Sequence, residues 1–274
     1  MSERTDQPAA SAAKPPRTWL PMIFWIAGIL LALGLAWFIG AVVVPVWQTR
    51  AVVCECAEDR LDEVDDAKVL SRLGSPEQAA DRLAAYLRLP RWMNVDRREA
   101  TFLLGRCGPR AVPALIKELT DTDKGVRRAA AAALGLIGYA AETAVPSLTR
   151  TLEDADAGVR QAAAEALCQV GPAAGIAVPS LIGRLEDTDE SVRGYAALAL
   201  GAIGAEAKDA VPALVKALKD TDANVRWRAA HALGKIGASA KPSIPVLERA
   251  LTDGDAAVRQ AAAEALKKIK GETP

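Results

Sequence analysis

The stretch DTDANVRWRAAHALGKIG, residues 220–237, gathers two carboxylates, two guanidinium groups and the only histidine of the chain into one short run. An Asp-x-Asp pair such as Asp220 and Asp222 offers the groups used in general acid–base work or in holding a divalent cation. His231 adds a side chain that ordinarily titrates near neutrality. Taken alone, the run has the makings of an active site.

Comparison of the chain with itself removes most of that chemistry. The pattern stands also at 121–138 (DTDKGVRRAAAAALGLIG), 154–171 (DADAGVRQAAAEALCQVG), 187–204 (DTDESVRGYAALALGAIG) and 253–270 (DGDAAVRQAAAEALKKIK). Pro113, Pro146, Pro179, Pro212 and Pro245 keep the same period of 33 residues, as do Arg127, Arg160, Arg193, Arg226 and Arg259. A catalytic pair is needed once, whereas five copies at fixed spacing mark stacked supersecondary units. One histidine does not supply an imidazole-rich zinc site, and the four cysteines lack zinc-finger spacing. A Gly-rich phosphate loop and a Ser/His/Asp arrangement are both missing. The expectation is a protein that is not an enzyme, with no catalytic residue, no metal and no cofactor.

The repeats divide into two helical patterns. In the first, Val112, Leu115 and Leu119 share a face, and proline occupies the opening turn, where its missing N–H removes no intrahelical bond. Asp209 stands where it would cap the first helix of the fourth copy. In the second pattern Val126, Ala130, Ala133, Leu134 and Ile137 face inward, and the helix stops at Gly138, as its equivalents stop at Gly171, Gly204 and Gly237. Two inward columns hold only alanine: one runs from Ala130 to Ala262, its neighbour from Ala131 to Ala263. Small residues let neighbouring helices approach closely, and a single pair cannot bury its own apolar face, so stacking must supply the core. The composition agrees, being 51% apolar but only 4% aromatic. The fold class read from this is all-α: an α-solenoid of stacked helix pairs.

Proline, an aspartate eight residues on, then Val-Arg at thirteen and fourteen, resembles the HEAT repeat. The short alanine-rich form is similar to the HEAT-like repeats of the phycobilisome lyase family, and five copies cover residues 109–270. The resemblance implies a ladder between neighbouring units, placed at Asp121, Asp154, Asp187, Asp220 and Asp253 and the five repeated arginines, in which Arg193 pairs with Asp187 or a neighbouring acid. It also implies that second helices line the concave side. Upstream, NVDRREATFLLGRCG (94–108) matches a second helix with Arg97 at the ladder position and a loop three residues shorter.

The N-terminal region is of another kind. No charged residue lies between Arg17 and Arg50, and the run WLPMIFWIAGILLALGLAWFIGAVVVPVW (19–47) is long enough to cross a hydrocarbon core of roughly 30 Å as one transmembrane helix. Trp19 and Trp47 sit at its edges, where indole favours the interface. The apolar stretch is too long for a cleaved signal peptide, and no small-x-small site follows it. Arg4, Lys14 and Arg17 precede the span, while Arg50 and Arg60 follow it among many acids. This places the N-terminus in the cytoplasm and the solenoid on the extracytoplasmic side. The chain therefore reads as a disordered tail (1–18), a span (19–49), a juxtamembrane linker or capping helix (50–74), a degenerate first repeat (75–108) and five repeats (109–274). Cys54 and Cys56, just past the span, are open between plain thiols, half a metal site, intersubunit pairing and acylation. Cys107 falls in an inward isoleucine column and Cys168 in a glycine column, so both read as packing residues.

Function is sought where the copies disagree. The slots of residues 128, 129, 132 and 136 vary freely, and in the third and fourth copies they hold Gly194, Tyr195, Trp227, Arg228, His231 and Lys235. Tyr195 and Arg228 are equivalent residues one repeat apart and should be neighbours. The His231 slot holds Glu165 and Glu264 in other copies, which reads as exposure. Aromatic residues with arginine are the composition of a binding hot spot; the bland alternative is that Trp227 packs on its neighbouring repeat. Partner binding is accordingly assigned to Tyr195, Trp227, Arg228, His231 and Lys235, with a protein as the partner. Lys plus Arg equals Asp plus Glu at 34 each, which speaks against nucleic acid. The alternative function is a chromophore-lyase-like or other enzyme-associated HEAT factor, which the resemblance suggests.

Overall fold

The computed structural model describes Thr49, residues 70–87 and residues 97–271. The N-terminal tail, the apolar run 19–47, Cys54 and Cys56 lie outside the described residues. Helices α1 (Pro76–Leu87) and α2 (Arg97–Gly105) come first. Then α3 (Val112–Glu118) precedes α4 (Lys124–Ile137), and α5 (Val145–Thr151) precedes α6 (Ala157–Val170). The same order holds for α7 (Val178–Arg184) and α8 (Glu190–Ile203), α9 (Val211–Ala217) and α10 (Ala223–Ile236), and α11 (Ile244–Ala250) and α12 (Ala256–Lys270). Among the described residues no strand occurs.

Second helices start at the second aspartate of each Asp-x-Asp pair. Asp123, Asp156, Asp189, Asp222 and Asp255 have extended backbone and accept N–H bonds from the first turn, as Asp222 does from Val225. At the other end Gly138, Gly171, Gly204 and Gly237 adopt φ between 65 and 76° with ψ near −135°, a region that side chains exclude. A 3-10 connector follows each of them: Gly138–Ala144, Gly171–Ala177, Gly204–Ala210 and Gly237–Ser243. These connectors replace the side-chain cap expected at Asp209, which lies exposed inside its connector. The residue at the N-cap of α9 is Ala210, without a side-chain bond, and the Val211 N–H is already taken by the Lys208 carbonyl. Lys124–Thr151 and Ala157–Arg184 are long and apolar enough by composition to cross a membrane. Both are interrupted at these glycines, and their apolar faces belong to the core.

Each second helix packs on the next along the series α2, α4, α6, α8, α10 and α12. First helices lean on their own second helix and on the connector that follows. The alanine column from Ala130 to Ala262 is fully buried throughout, and leucines such as Leu134, Leu167, Leu200 and Leu233 fill the space beside it. The approach is closest at glycine: a Cβ on Gly201 would stand 2.9 Å from the Ala232 Cα, and one on Gly234 equally close to Ala265. Backbone meets backbone there.

Candidate binding surface

The repeated acids and arginines are consumed by structure. Arg127, Arg160, Arg193 and Arg226 each grip an aspartate of the following repeat through Nε and Nη2, at 2.6–2.9 Å: Asp154, Asp187, Asp220 and Asp253 in turn. Arg193 thus pairs forward with Asp220, while Asp187 of its own repeat is held by Arg160 and offers Arg193 only its carbonyl oxygen, 3.0 Å from Nη1. Arg97 opens the ladder on Glu118 and Asp121. Each ladder aspartate also accepts the N–H of the capping aspartate two residues on, as Asp220 does from Asp222 at 2.9 Å. Burial by itself raises the Asp220 pKa, but the Arg193 bonds and charge and the Asp222 N–H outweigh it and hold the carboxyl below its ordinary range. Among the described residues no three His, Cys, Asp or Glu side chains could hold a metal ion.

The residues singled out on the second helices fall into two contacting pairs. The Arg228 guanidinium lies 4.5 Å from the centroid of the Tyr195 ring, so the one-repeat offset does bring these residues together. It also lies across Gly194, where a Cβ would come within 2.5 Å of Nη1. Glycine in that slot is what lets the arginine lie flat over α8. Its Nε is buried without a hydrogen-bond partner. Trp227 stacks on His231 of the same helix, rings 5.8 Å apart and 23° from parallel. Trp227 and Tyr195 are both half-buried and packed against the core, so surface and packing share each ring.

His231 is not the exposed residue its slot suggested. Its stacking on Trp227 leaves it half-buried. Burial lowers its pKa below the ordinary 6.5; Lys235 and Lys268 lower it further, against Glu264, which raises it. Lys235 is exposed beside the histidine. Lys268, one repeat beyond Lys235, reads from sequence as part of an exposed final helix end and not as part of the binding surface; the 33-residue shift is the signal that relates it to Lys235. Cys168, in the glycine column, has its thiol pKa raised by burial and by Glu165, with the Arg228 charge opposing. Burial pushes the Cys107 thiol up to about 11. Neither is poised as a nucleophile. On the first-helix side a cleft of about 620 Å³ lies between α7 and α9, where Arg193–Asp220 and Lys216–Glu186 are paired and Lys219 is the one further charged residue of the lining.

Family comparison agrees with this architecture. The HEAT repeats family matches residues 94–168 and 178–267. This chain belongs to the HEAT-repeat family. An engineered protein from the Northeast Structural Genomics Consortium is 30% identical, with a TM-score of 0.53 over 76% of this chain and 97% of that chain. A designed armadillo repeat protein shares the fold at 22% identity and a TM-score of 0.51, over 73% of this chain and 98% of that one. The complex of CpcE and CpcF of phycocyanin lyase from Nostoc sp. is similar at 25% identity and a TM-score of 0.47, over 57% of this HEAT chain and 98% of that chain. No curated protein matches.

Proposed function

We propose that this HEAT-repeat chain is a membrane-anchored scaffold that holds a protein partner on its second-helix surface, with no catalysis of its own. The observation that carries the reading is the Tyr195–Arg228 contact beside Trp227 and His231: large, partly exposed side chains at slots filled elsewhere mainly by alanine, glutamine and glutamate, with Arg128, Gly194 and Leu198 as the exceptions. Such residues supply most of the binding energy where a surface is desolvated by a partner. The uncharged run 19–47 supports the anchor, and the basic residues before it support an extracytoplasmic solenoid.

The test is site-specific photo-cross-linking in native membranes, with the reactive group at exposed Lys235 on α10 or at exposed Lys216 on α9. The expected result is a discrete adduct from position 235 that Trp227→Ala weakens, and none from 216. Adducts from 216 alone, or adducts at 235 indifferent to Trp227, overturn the assignment. A tetrapyrrole absorbance that co-purifies with the chain would favour the chromophore-handling alternative.

A further inference from the structure

Arg228 is an arginine left without its anion. Two residues before it on the same helix, Arg226 grips Asp253 through two bonds of 2.9 Å. Arg228 has neither a hydrogen bond nor an ion pair among the described residues, and its ring contact is with Tyr195. Its posture is nonetheless set: the Tyr195 ring lies under the guanidinium, bare Gly194 makes room for Nη1, and Nε is buried. The two terminal nitrogens remain unpartnered and keep contact with solvent. A planar fork held in place, partly stripped of water and lacking a counter-ion is the arrangement that fits a carboxylate edge-on.

Glu165 on α6 acts with Arg228 on Cys168 and is the acid on that side, whereas toward α12 the cations outnumber the acids. Lys235 on α10 and Lys268 on α12 are exposed and form no ion pair among the described residues. Glu264 on α12 is the acid among them, and the bond it accepts from Gln260 leaves its charge in place. The whole chain has a formal net charge of +0, so this local excess is not the spill-over of a basic protein. Tyr195 and Trp227 add partly buried apolar surface beside Arg228.

We infer that the partner docks through an acidic segment with interspersed apolar residues, seating one carboxylate on the open edge of Arg228 and others near Lys235 and Lys268. This rests on the second-helix surface being the binding face. The test uses the full chain in detergent micelles and fluorescence anisotropy of a short labelled peptide of alternating glutamate and leucine, its glutamine–leucine counterpart, and a single-stranded oligonucleotide. The expected preference for the acidic peptide over the neutral one is at least about thirtyfold, the equivalent of one hot-spot side chain. Arg228→Gln should erase the preference and Arg228→Lys restore only part of it. Gly194→Ala is the second variant: its Cβ displaces the guanidinium while favouring the helix, so the melting temperature holds or rises as acidic-peptide affinity falls. Equal binding of the neutral peptide, an unchanged preference in Arg228→Gln, or tighter binding of the oligonucleotide overturns the inference. If adducts still form at position 235 in that event, only the acidic-segment inference falls; adducts from 216 alone would remove the binding face itself.

Discussion

Trp227 and His231 show how one contact can serve both the fold and its surface. The tryptophan leans on the core with one edge and covers the imidazole with its face. The half-buried ring binds its proton less readily in the folded chain than in the unfolded one. The unfolded state then takes up more protons below pH 6.5, so stability rises with pH through that window and is lost as pH falls through the folded-state value. Lys235 on the same helix and Lys268 on α12 act in this direction, and Glu264 on α12 acts against it. Urea denaturation at a series of pH values should show this slope in the parent chain and a shallower one in His231→Gln. Identical slopes would mean that the ring is as hydrated folded as unfolded.

At the scale of the element, glycine has two different consequences in one helix pair. Gly201 in α8 faces the backbone of Ala232, so an added methyl group meets atoms that cannot swing away. Gly201→Ala should cost about 1–3 kcal/mol as overpacking of a close helix contact. Gly183 in α7 is exposed, and a Cβ there meets nothing within 4 Å. Gly183→Ala should stabilise by roughly 0.5–1 kcal/mol, because alanine loses less backbone freedom in a helix. Thermal melts of the two variants should move in opposite directions; a shared direction would contradict the packing described between α8 and α10. Cys168 occupies the same column as Gly201, so the α6–α8 contact accommodates a side chain that its neighbours do not.

For the whole molecule, the ladder ties each repeat to the next and therefore has an uneven end. Arg193 holds Asp220, whose side chain is only 12% exposed. Arg193→Ala leaves that carboxylate unpaired and should cost about 2–4 kcal/mol, near the lower end for a buried pair. The equivalent Arg259 donates to the carbonyls of Asp253 and Gly254 and forms no ion pair among the described residues, although its charge reaches Asp253. Arg259→Ala should shift stability by about 0.5 kcal/mol or less. Equal losses in the two variants would show that the carbonyl bonds, common to both, are what matter. The proposed anchor has its own test: the full-length chain should stay with membranes through salt and alkaline washing. Recovery of a soluble chain that starts near Gln48 would identify a cleaved signal instead.

The period of 33 residues, the inward alanines and the stop glycines were all determined by sequence, because each rests on spacing along one chain or on a backbone angle that one residue type tolerates. The same arithmetic placed Tyr195 beside Arg228. That the ladder joins neighbouring units followed from the resemblance, but the choice for Arg193 between Asp187 and a neighbouring acid stayed open. Asp187 is far nearer to Arg193 along the chain than Asp220 is, and only the stacking of α8 on α10 turns the side chain toward the next repeat. The half-burial of His231 was hidden for a similar reason: its slot accepts glutamate elsewhere, but only here does a tryptophan one turn earlier close over it. The unpaired state of Arg228 also belongs to tertiary structure, since a free guanidinium is defined by every acid that fails to reach it.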